Sequence, residues 1–221
     1  MKRDIDINEI SDGRLYSLND MVKADCDDCA GCSDCCHGMG ESIVLDPMDL
    51  YRLTCGTGKN FQELLEQELE LNVVDGIILP NLKLSGENEA CQFLNGQGRC
   101  SIHTFRPGIC RLFPLGRIYE NGTVKYFLQV HECSKNSRSK VKVKKWLDIP
   151  ESKKYEQYIL DWHYFLNGLE ERMERQQDEE WNKRVNMFLL NLFYLTPYDV
   201  KQDFYEQFYQ RFQEAGHELS E

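Results

Sequence analysis

Cysteine is the residue whose number and spacing in this chain predict a definite chemistry. Five of the ten cysteines lie within eleven residues, at Cys26, Cys29, Cys32, Cys35 and Cys36. Two residues between neighbouring cysteines let a tight turn direct both sulfur atoms at one metal ion, while backbone amides stay free to donate to the thiolates. Thiols packed this closely lose their protons together only when a cation shares the site. The block therefore predicts a metal centre with thiolate ligands.

The spacing of this block fits more than one kind of centre. Cys26-x2-Cys29-x2-Cys32-x3-Cys36 has the spacing of the bacterial ferredoxin run, in which the fourth cysteine binds a second cluster. His37 stands where that run has proline. Alternatively, Cys29 and Cys32 could join a downstream pair of cysteines in a tetrahedral zinc site. The block indicates metal without identifying which metal or how many sites.

A second group of four cysteines follows at wider spacing. Between Cys91, Cys100, Cys110 and Cys133 lie 8, 9 and 22 residues. These spacings are too long for a single turn to bridge, so the fold, rather than local turn geometry, must gather the sulfur atoms.

Together the two blocks resemble the YkgJ-type cysteine-cluster family of zinc- or iron-chelating domains. The motifs are Cys-x2-Cys-x2-Cys-Cys from Cys29, Cys-x2-Leu from Cys91, and Cys-x-Ile-His-x2-Arg-Pro-x2-Cys-Arg-x-Phe-Pro from Cys100, with a trailing cysteine. The resemblance covers roughly residues 26–140 and is specific, because fixed positions agree in two separated blocks. The metal ligands that it implies are Cys29, Cys32, Cys35, Cys36, Cys91, Cys100, Cys110 and Cys133.

The cysteine motif of this family is also related to that of flagellin lysine methylases. That relationship implies an iron–sulfur protein that acts with S-adenosylmethionine. The sequence contains no dedicated S-adenosylmethionine motif, so the methylase remains an alternative.

Three further residues are open candidates near these motifs. Cys26 is a ligand if the ferredoxin-like spacing holds, in which case Cys35 serves a different site, and it is not a ligand if the family pattern governs. Cys55 lies beside a glycine after a predicted helix, and we expect it to bind no metal. His103 follows Cys100 by three residues and could be a ligand, although we favour a packing role.

Two arginines near Cys110 are candidates to bind the cofactor. Arg106 precedes Pro107, which fixes the turn before Cys110, and Arg111 follows the cysteine directly. Either guanidinium could donate hydrogen bonds to thiolates or offset their charge. The alternative is a buried structural arginine that pairs with a carboxylate.

Thiolate ligands narrow the choice of metal. Soft sulfur donors favour zinc and iron–sulfur clusters over calcium, magnesium or manganese. Eight thiolates suit two four-coordinate sites, or one cluster and one zinc ion. We favour an iron–sulfur cluster of the 4Fe-4S type, with zinc as the alternative.

Three functions fit such a protein. The first is a redox or cluster-dependent enzyme that modifies a protein side chain, for which no catalytic residue can be named. The second is a structural zinc module whose helical tail docks a protein partner, and the third is metal storage or delivery. Other catalytic motifs are absent, since the sequence lacks a Walker A loop, Gly-x-Gly-x-x-Gly, His-Glu-x-x-His and Gly-x-Ser-x-Gly.

Charge and hydropathy limit the classes of binding partner and the cellular compartment that we expect. A net charge of −11 opposes broad nucleic-acid binding, which needs Lys and Arg at the phosphates, and the basic run from Lys135 to Lys145 is predicted to be a solvated segment. The sequence has no apolar run near the roughly 20 residues of a membrane helix, and its first residues are charged. We expect a cytoplasmic protein that binds neither nucleic acid nor membrane, where reducing conditions favour metal-bound thiolates.

The hydrophobic pattern predicts an α+β fold in three parts. Residues 1–25 are predicted to form an N-terminal arm, and residues 26–150 a cysteine-cluster domain with short strands and a hairpin. Residues 151–221 contain no cysteine and are predicted to form a helical extension packed on that domain.

Local signals predict the elements inside these parts. Asp46-Pro47 predicts a helix start, with the carboxylate as cap and the proline in the first turn. Asn121-Gly122 predicts a type I′ hairpin turn. After Pro150, apolar residues at spacings of three and four predict three amphipathic helices with a break at Thr196-Pro197, whose aromatic stripe is core or a docking face. The other predicted elements are a strand at Ile43–Leu45, a helix over Phe61–Leu69 and a strand over Val73–Leu79.

Overall fold

The structure, a computed structural model, describes residues 6–26, 32–135 and 138–219. The fold is α+β as predicted, with short antiparallel strand pairs followed by a helical C-terminal region. The helices are α1 (Ile7–Ile10), α2 (Pro47–Thr57), α3 (Phe61–Gln67), α4 (Gly108–Leu112), α5 (Val143–Leu147), α6 (Ser152–Gln176), α7 (Glu179–Leu190) and α8 (Phe204–Glu218). The strands are β1 (Met21–Asp25), β2 (Leu69–Val74), β3 (Ile77–Leu82), β4 (Leu84–Ser85), β5 (Ala90–Cys91), β6 (Leu115–Glu120), β7 (Thr123–Leu128) and β8 (Ser139–Lys142).

The hairpin of β6 and β7 confirms the turn predicted from Asn121-Gly122. Both turn residues have positive φ, 51° and 69°, and Glu120 lies opposite Thr123. The type I′ turn requires this backbone conformation at both central positions, and asparagine and glycine tolerate it best.

The segment Val73–Leu79 is not one strand, as the sequence predicted, but spans a second hairpin. Asp75 and Gly76 have φ of 51° and 82° and form the turn between β2 and β3. The apolar residues on both sides of this two-residue turn hide it in the hydrophobic pattern. Ile43–Leu45 pairs with β3 through an isolated bridge from Val44, so the predicted strand there is only a single bridge.

Side-chain caps define where α2 and α3 begin. Asp46 caps α2, and its side chain accepts a hydrogen bond from the Asp49 N–H at 2.9 Å, which confirms the predicted helix start. Asn60 caps α3 in the same way through the Glu63 N–H. The predicted helix over Phe61–Leu69 ends earlier than expected, because Leu69 begins β2 and is fully buried against β3.

The residues before Cys26 contact the strands of the cysteine-rich region. Strand β1 pairs antiparallel with β8, and Tyr16 forms a backbone bridge with Tyr126 of β7. The side chain of Tyr126 is fully buried beneath this contact. The start of the chain therefore fixes the strand that leads into the first cysteine block.

The three long C-terminal helices confirm the predicted amphipathic pattern, and their aromatic stripe lies in the core. Tyr158 packs edge-on against Phe208 with ring centroids 4.6 Å apart, and Trp162 packs against Phe193 at 4.9 Å. The Tyr158 hydroxyl also accepts a hydrogen bond from the Met48 N–H at 3.0 Å. These helices therefore share one core with α2. No helix in the described ranges is long and apolar enough to cross a bilayer.

Helix α2 also packs against the loop between two of the cysteines. The Arg52 guanidinium donates to the Thr104 carbonyl at 3.0 Å, and Gly56 faces the ring of Phe105. A Cβ atom added at Gly56 would overlap that ring. The glycine therefore lets the loop approach the helix closely.

We predict opposite effects of alanine at two helical glycines. Gly56→Ala is expected to destabilise the fold by about 1–3 kcal/mol, because the new Cβ displaces the Phe105 ring. Gly168→Ala, on an open face of α6, is expected to stabilise it by about 0.5–1 kcal/mol through helix propensity. Urea unfolding of both variants checks the prediction, and equal effects in the two variants would contradict it.

Candidate metal centre

Six cysteines from both sequence blocks line one cavity between the cysteine loops and β3. Apolar side chains form much of its wall, and three basic or aromatic-ring side chains complete it. The six cysteines are Cys32, Cys35, Cys36, Cys91, Cys100 and Cys110. The other lining residues are Ile43, Leu82, Arg99, Ile102, His103 and Arg106.

A short turn brings the first block to the second. Residues Asp34–Cys36 form a 3-10 turn that carries two cysteines. The next residue, His37, forms an antiparallel backbone bridge with Ala90. Because Ala90 directly precedes Cys91, this bridge places the turn beside the first cysteine of the second block.

A tight turn then returns the chain to the same cavity. The Asn95 side-chain oxygen accepts hydrogen bonds from the backbone N–H groups of Gln97 (3.0 Å) and Arg99 (2.9 Å). The Asn95 N–H also donates to the Arg99 carbonyl at 2.9 Å. Asparagine closes such turns with its side chain. The reversal brings Cys100 back alongside Cys91, although eight residues separate them.

Helix α4 carries Cys110 and is anchored at its first residue. The Gly108 N–H donates to the Asp49 carboxylate of α2 at 2.6 Å. Asp49 is buried, and it is not among the site residues predicted from the sequence. Asp46-Pro47 pointed to a helix start there, but no local signal connects residue 49 with residue 108.

Four of the six thiols interact electrostatically in every pairwise combination. Burial is the largest cause that raises the pKa of Cys91, Cys100 and Cys110, and the neighbouring thiols raise it further. The pKa of Cys35 is raised first by a hydrogen bond with Cys36 and then by burial. The four mutually coupled thiols are Cys35, Cys91, Cys100 and Cys110.

Of the two candidate arginines, Arg106 lines this cavity. Its charge lowers the pKa of Cys35 and Cys100, against the larger effects of burial. One guanidinium nitrogen contacts the ring of His103, and Nε is buried without a hydrogen-bond partner among the described residues. A buried donor beside thiols suits a thiolate or sulfide acceptor. The donor set therefore fits a zinc ion or an iron–sulfur cluster.

Arg111 holds the loop instead of lining the cavity. Its side chain is 2% exposed and donates to backbone carbonyls, to Arg106 through Nε (3.1 Å) and to Asp148 through Nη1 (2.9 Å). It also donates to the Thr104 carbonyl. The carboxylate of Asp148 is 3.7 Å away and exposed, so the predicted carboxylate pairing is peripheral.

Among the described cysteines, Cys26, Cys55 and Cys133 are not part of the cavity lining. Cys26 is buried at the end of β1, and Cys133 is partly buried after β7. Cys55 is exposed on α2, which agrees with the expectation that it binds no metal without testing it. Cys29, a predicted ligand, lies outside the described residues.

The side chains of the cavity are close but do not form a completed site. Over residues 6–26, 32–135 and 138–219, no three His, Cys, Asp or Glu side chains stand in the geometry of a bound metal ion. The described cysteines are also not in disulfides. Metal binding at this cavity therefore requires the thiols to lose protons and their side chains to adjust.

Comparison with known proteins finds one family. The model of the CxxCxxCC family, described as a "putative zinc- or iron-chelating domain", matches residues 28–148, more than half of the chain. The match covers all the cysteines of the cavity and supports metal binding. No curated protein and no solved structure matches the chain.

We predict that Arg111 stabilises the loop between Cys100 and Cys110. Arg111→Met is expected to lower the free energy of unfolding by about 2–4 kcal/mol, because buried carbonyls lose their charged donor. Arg175→Met on the exposed face of α6 is the control and should change it by less than about 0.5 kcal/mol. Urea unfolding measures both, and equal stability of the two variants would contradict the assignment.

Proposed function

This chain belongs to the CxxCxxCC family, and from that premise we propose that it binds its metal through Cys35, Cys91, Cys100 and Cys110. The observation that carries the proposal is that these four thiols, from separate segments of the chain, line one cavity, where neighbouring thiols raise the pKa of Cys91, Cys100 and Cys110. Four sulfur donors complete the coordination of a zinc ion or of a cluster. Cys32 and Cys36 line the same cavity and supply two additional thiols.

We favour a 4Fe-4S cluster as the bound group. Support comes from the ferredoxin-like spacing of the first block and from a cavity with more thiols than one zinc ion takes. The Nε of Arg106, which has no hydrogen-bond partner in the described part of the chain, supplies a donor for sulfur. When bound, a 4Fe-4S cluster supplies one-electron transfer.

The side chains of this chain shape that chemistry in two ways. Ile43, Leu82 and Ile102 exclude water from one wall of the cavity. Arg106 places positive charge beside the thiols and favours their ionised form. A cluster-dependent modification of a protein side chain is an activity that such a site would support.

A structural zinc module is the second candidate, and one observation favours it. The four coupled cysteines come from a 3-10 turn, β5, a loop and α4, so one ion would cross-link four segments of the chain. Structural zinc sites stabilise small domains in this way. In this alternative the helical region docks a protein partner.

Elemental analysis of anaerobically purified protein tests the proposal and separates the candidates. We expect iron and acid-labile sulfide in the natural chain, with loss of most metal in Cys35→Ser, Cys91→Ser, Cys100→Ser and Cys110→Ser. Cys55→Ser, which alters an exposed thiol outside the cavity, should keep full metal content. Colourless protein with stoichiometric zinc would select the zinc module. Unchanged metal in all four cavity variants would refute the site.

Metal uptake at this site is expected to release protons. Because the pKa of each of the four thiols is raised, the thiols hold their protons at neutral pH, and a bound metal must displace them. The affinity for Zn²⁺ should therefore rise with pH, by up to about tenfold per pH unit for each proton displaced. Titration with Zn²⁺ in weak buffer and a pH indicator measures the release. Cys55→Ser should match the natural chain, and uptake without proton release would contradict the prediction.

A further inference from the structure

A buried polar contact joins α2 to the helix that carries Cys110. Asp49 is 3% exposed, and its two carboxylate oxygens have different partners. One accepts from the Asp46 N–H at 3.2 Å within the capping box of α2. The other accepts from the Gly108 N–H at 2.6 Å, at the first residue of α4. The same carboxylate thus belongs to one helix and holds the start of another.

A side chain of α6 also lies close to the first residue of α4. Tyr155 is 3% exposed, and its hydroxyl accepts from the Arg117 guanidinium at 3.2 Å. A Cβ atom added at Gly108 would lie 2.7 Å from the Tyr155 hydroxyl and 3.5 Å from the Asp49 carboxylate. The first residue of α4 therefore fits between a carboxylate of α2 and a hydroxyl of α6, with no room for a side chain.

The shortness of α4 makes these anchors important. The helix has five residues, and a helix of that length has little stability of its own in water. Cys110 lies two residues after Gly108, so a shift of the helix start moves the thiol directly. Mutation of a residue that orients a metal ligand commonly lowers metal affinity by about 10- to 100-fold.

We propose that Asp49 is a positioning residue for Cys110. By holding the first residue of α4 close to Tyr155 of α6, Asp49 couples the C-terminal helices to the metal centre. This inference rests on the proposed function, because it requires Cys110 to bind metal. It assigns the C-terminal region a role in the site even though that region contains no cysteine. Metal binding and the packing of α6 should then stabilise each other, since both depend on the position of α4.

Zn²⁺ affinity and the absorption of the Co²⁺-loaded full chain test the positioning role. Asp49→Ala is expected to lower Zn²⁺ affinity about 10- to 100-fold and to change the thiolate-to-Co²⁺ charge-transfer bands. Asp49→Asn retains an oxygen that can accept from the Gly108 N–H and should restore most of the affinity. Rescue by asparagine separates positioning from a role of the negative charge.

Asn60→Ala is the matched control for losing a helix cap. Asn60 caps α3 as Asp46 caps α2, and its side-chain oxygen accepts from the Glu63 N–H at 3.0 Å, outside the cavity lining. The variant should destabilise the fold without changing Zn²⁺ affinity or the Co²⁺ spectrum. Amide hydrogen exchange supplies the coupling readout. Zn²⁺ should slow exchange in α6 of the natural chain and of Asn60→Ala, and not in Asp49→Ala.

The outcomes separate this inference from the proposed function. A natural chain that binds neither Zn²⁺ nor Co²⁺ overturns both. Binding by the natural chain with unchanged affinity and spectrum in Asp49→Ala, or an equal loss in Asn60→Ala, overturns the positioning role alone. If Asp49→Ala does not fold, Asp49→Asn decides: retained Zn²⁺ affinity with a protected Gly108 amide supports the role, and loss of both in a folded variant overturns it.

Discussion

The arrangement on which the rest of this structure depends is the gathering of four thiols, one buried and three partly buried, in one cavity. Each thiolate would repel the other three, and the apolar wall offers little water to solvate them. The thiols are therefore stable as neutral groups or as ligands of a cation. The bridge beside Ala90, the Asn95 turn and the anchored start of α4 all serve to bring these sulfur atoms together.

Arg106 and Arg111 lie close together in the sequence but have different roles near that cavity. Arg106 has a buried Nε without a hydrogen-bond partner among the described residues, whereas Arg111 donates to backbone carbonyls. A planar guanidinium with five donors can satisfy several carbonyls that no lysine could reach together. Arg111 thus fixes the shape of the loop, whereas Arg106 places positive charge at the cavity.

Much of the secondary structure follows from local sequence signals, but the contacts between its elements do not. The Asp46 cap, the Asn121-Gly122 turn and the three amphipathic helices depend on backbone preferences of adjacent residues, which a sequence displays directly. The turn at Asp75-Gly76 was missed, because the apolar residues on both sides of it looked like one continuous strand. Tertiary contacts also turned the aromatic stripe of the C-terminal helices inward, where Tyr158 packs against Phe208.

By itself, the sequence determined that this chain belongs to a cysteine-cluster family described as zinc- or iron-chelating, because the number and spacing of its cysteines are visible in the chain. Only the tertiary structure decided which thiols are neighbours, since 8 and 9 residues of loop separate Cys91, Cys100 and Cys110. Tertiary structure also decided that Arg111 donates to backbone carbonyls. It joined Asp49 to Gly108, 59 positions away in the chain. Such contacts arise from packing between elements, which local residue preferences do not encode.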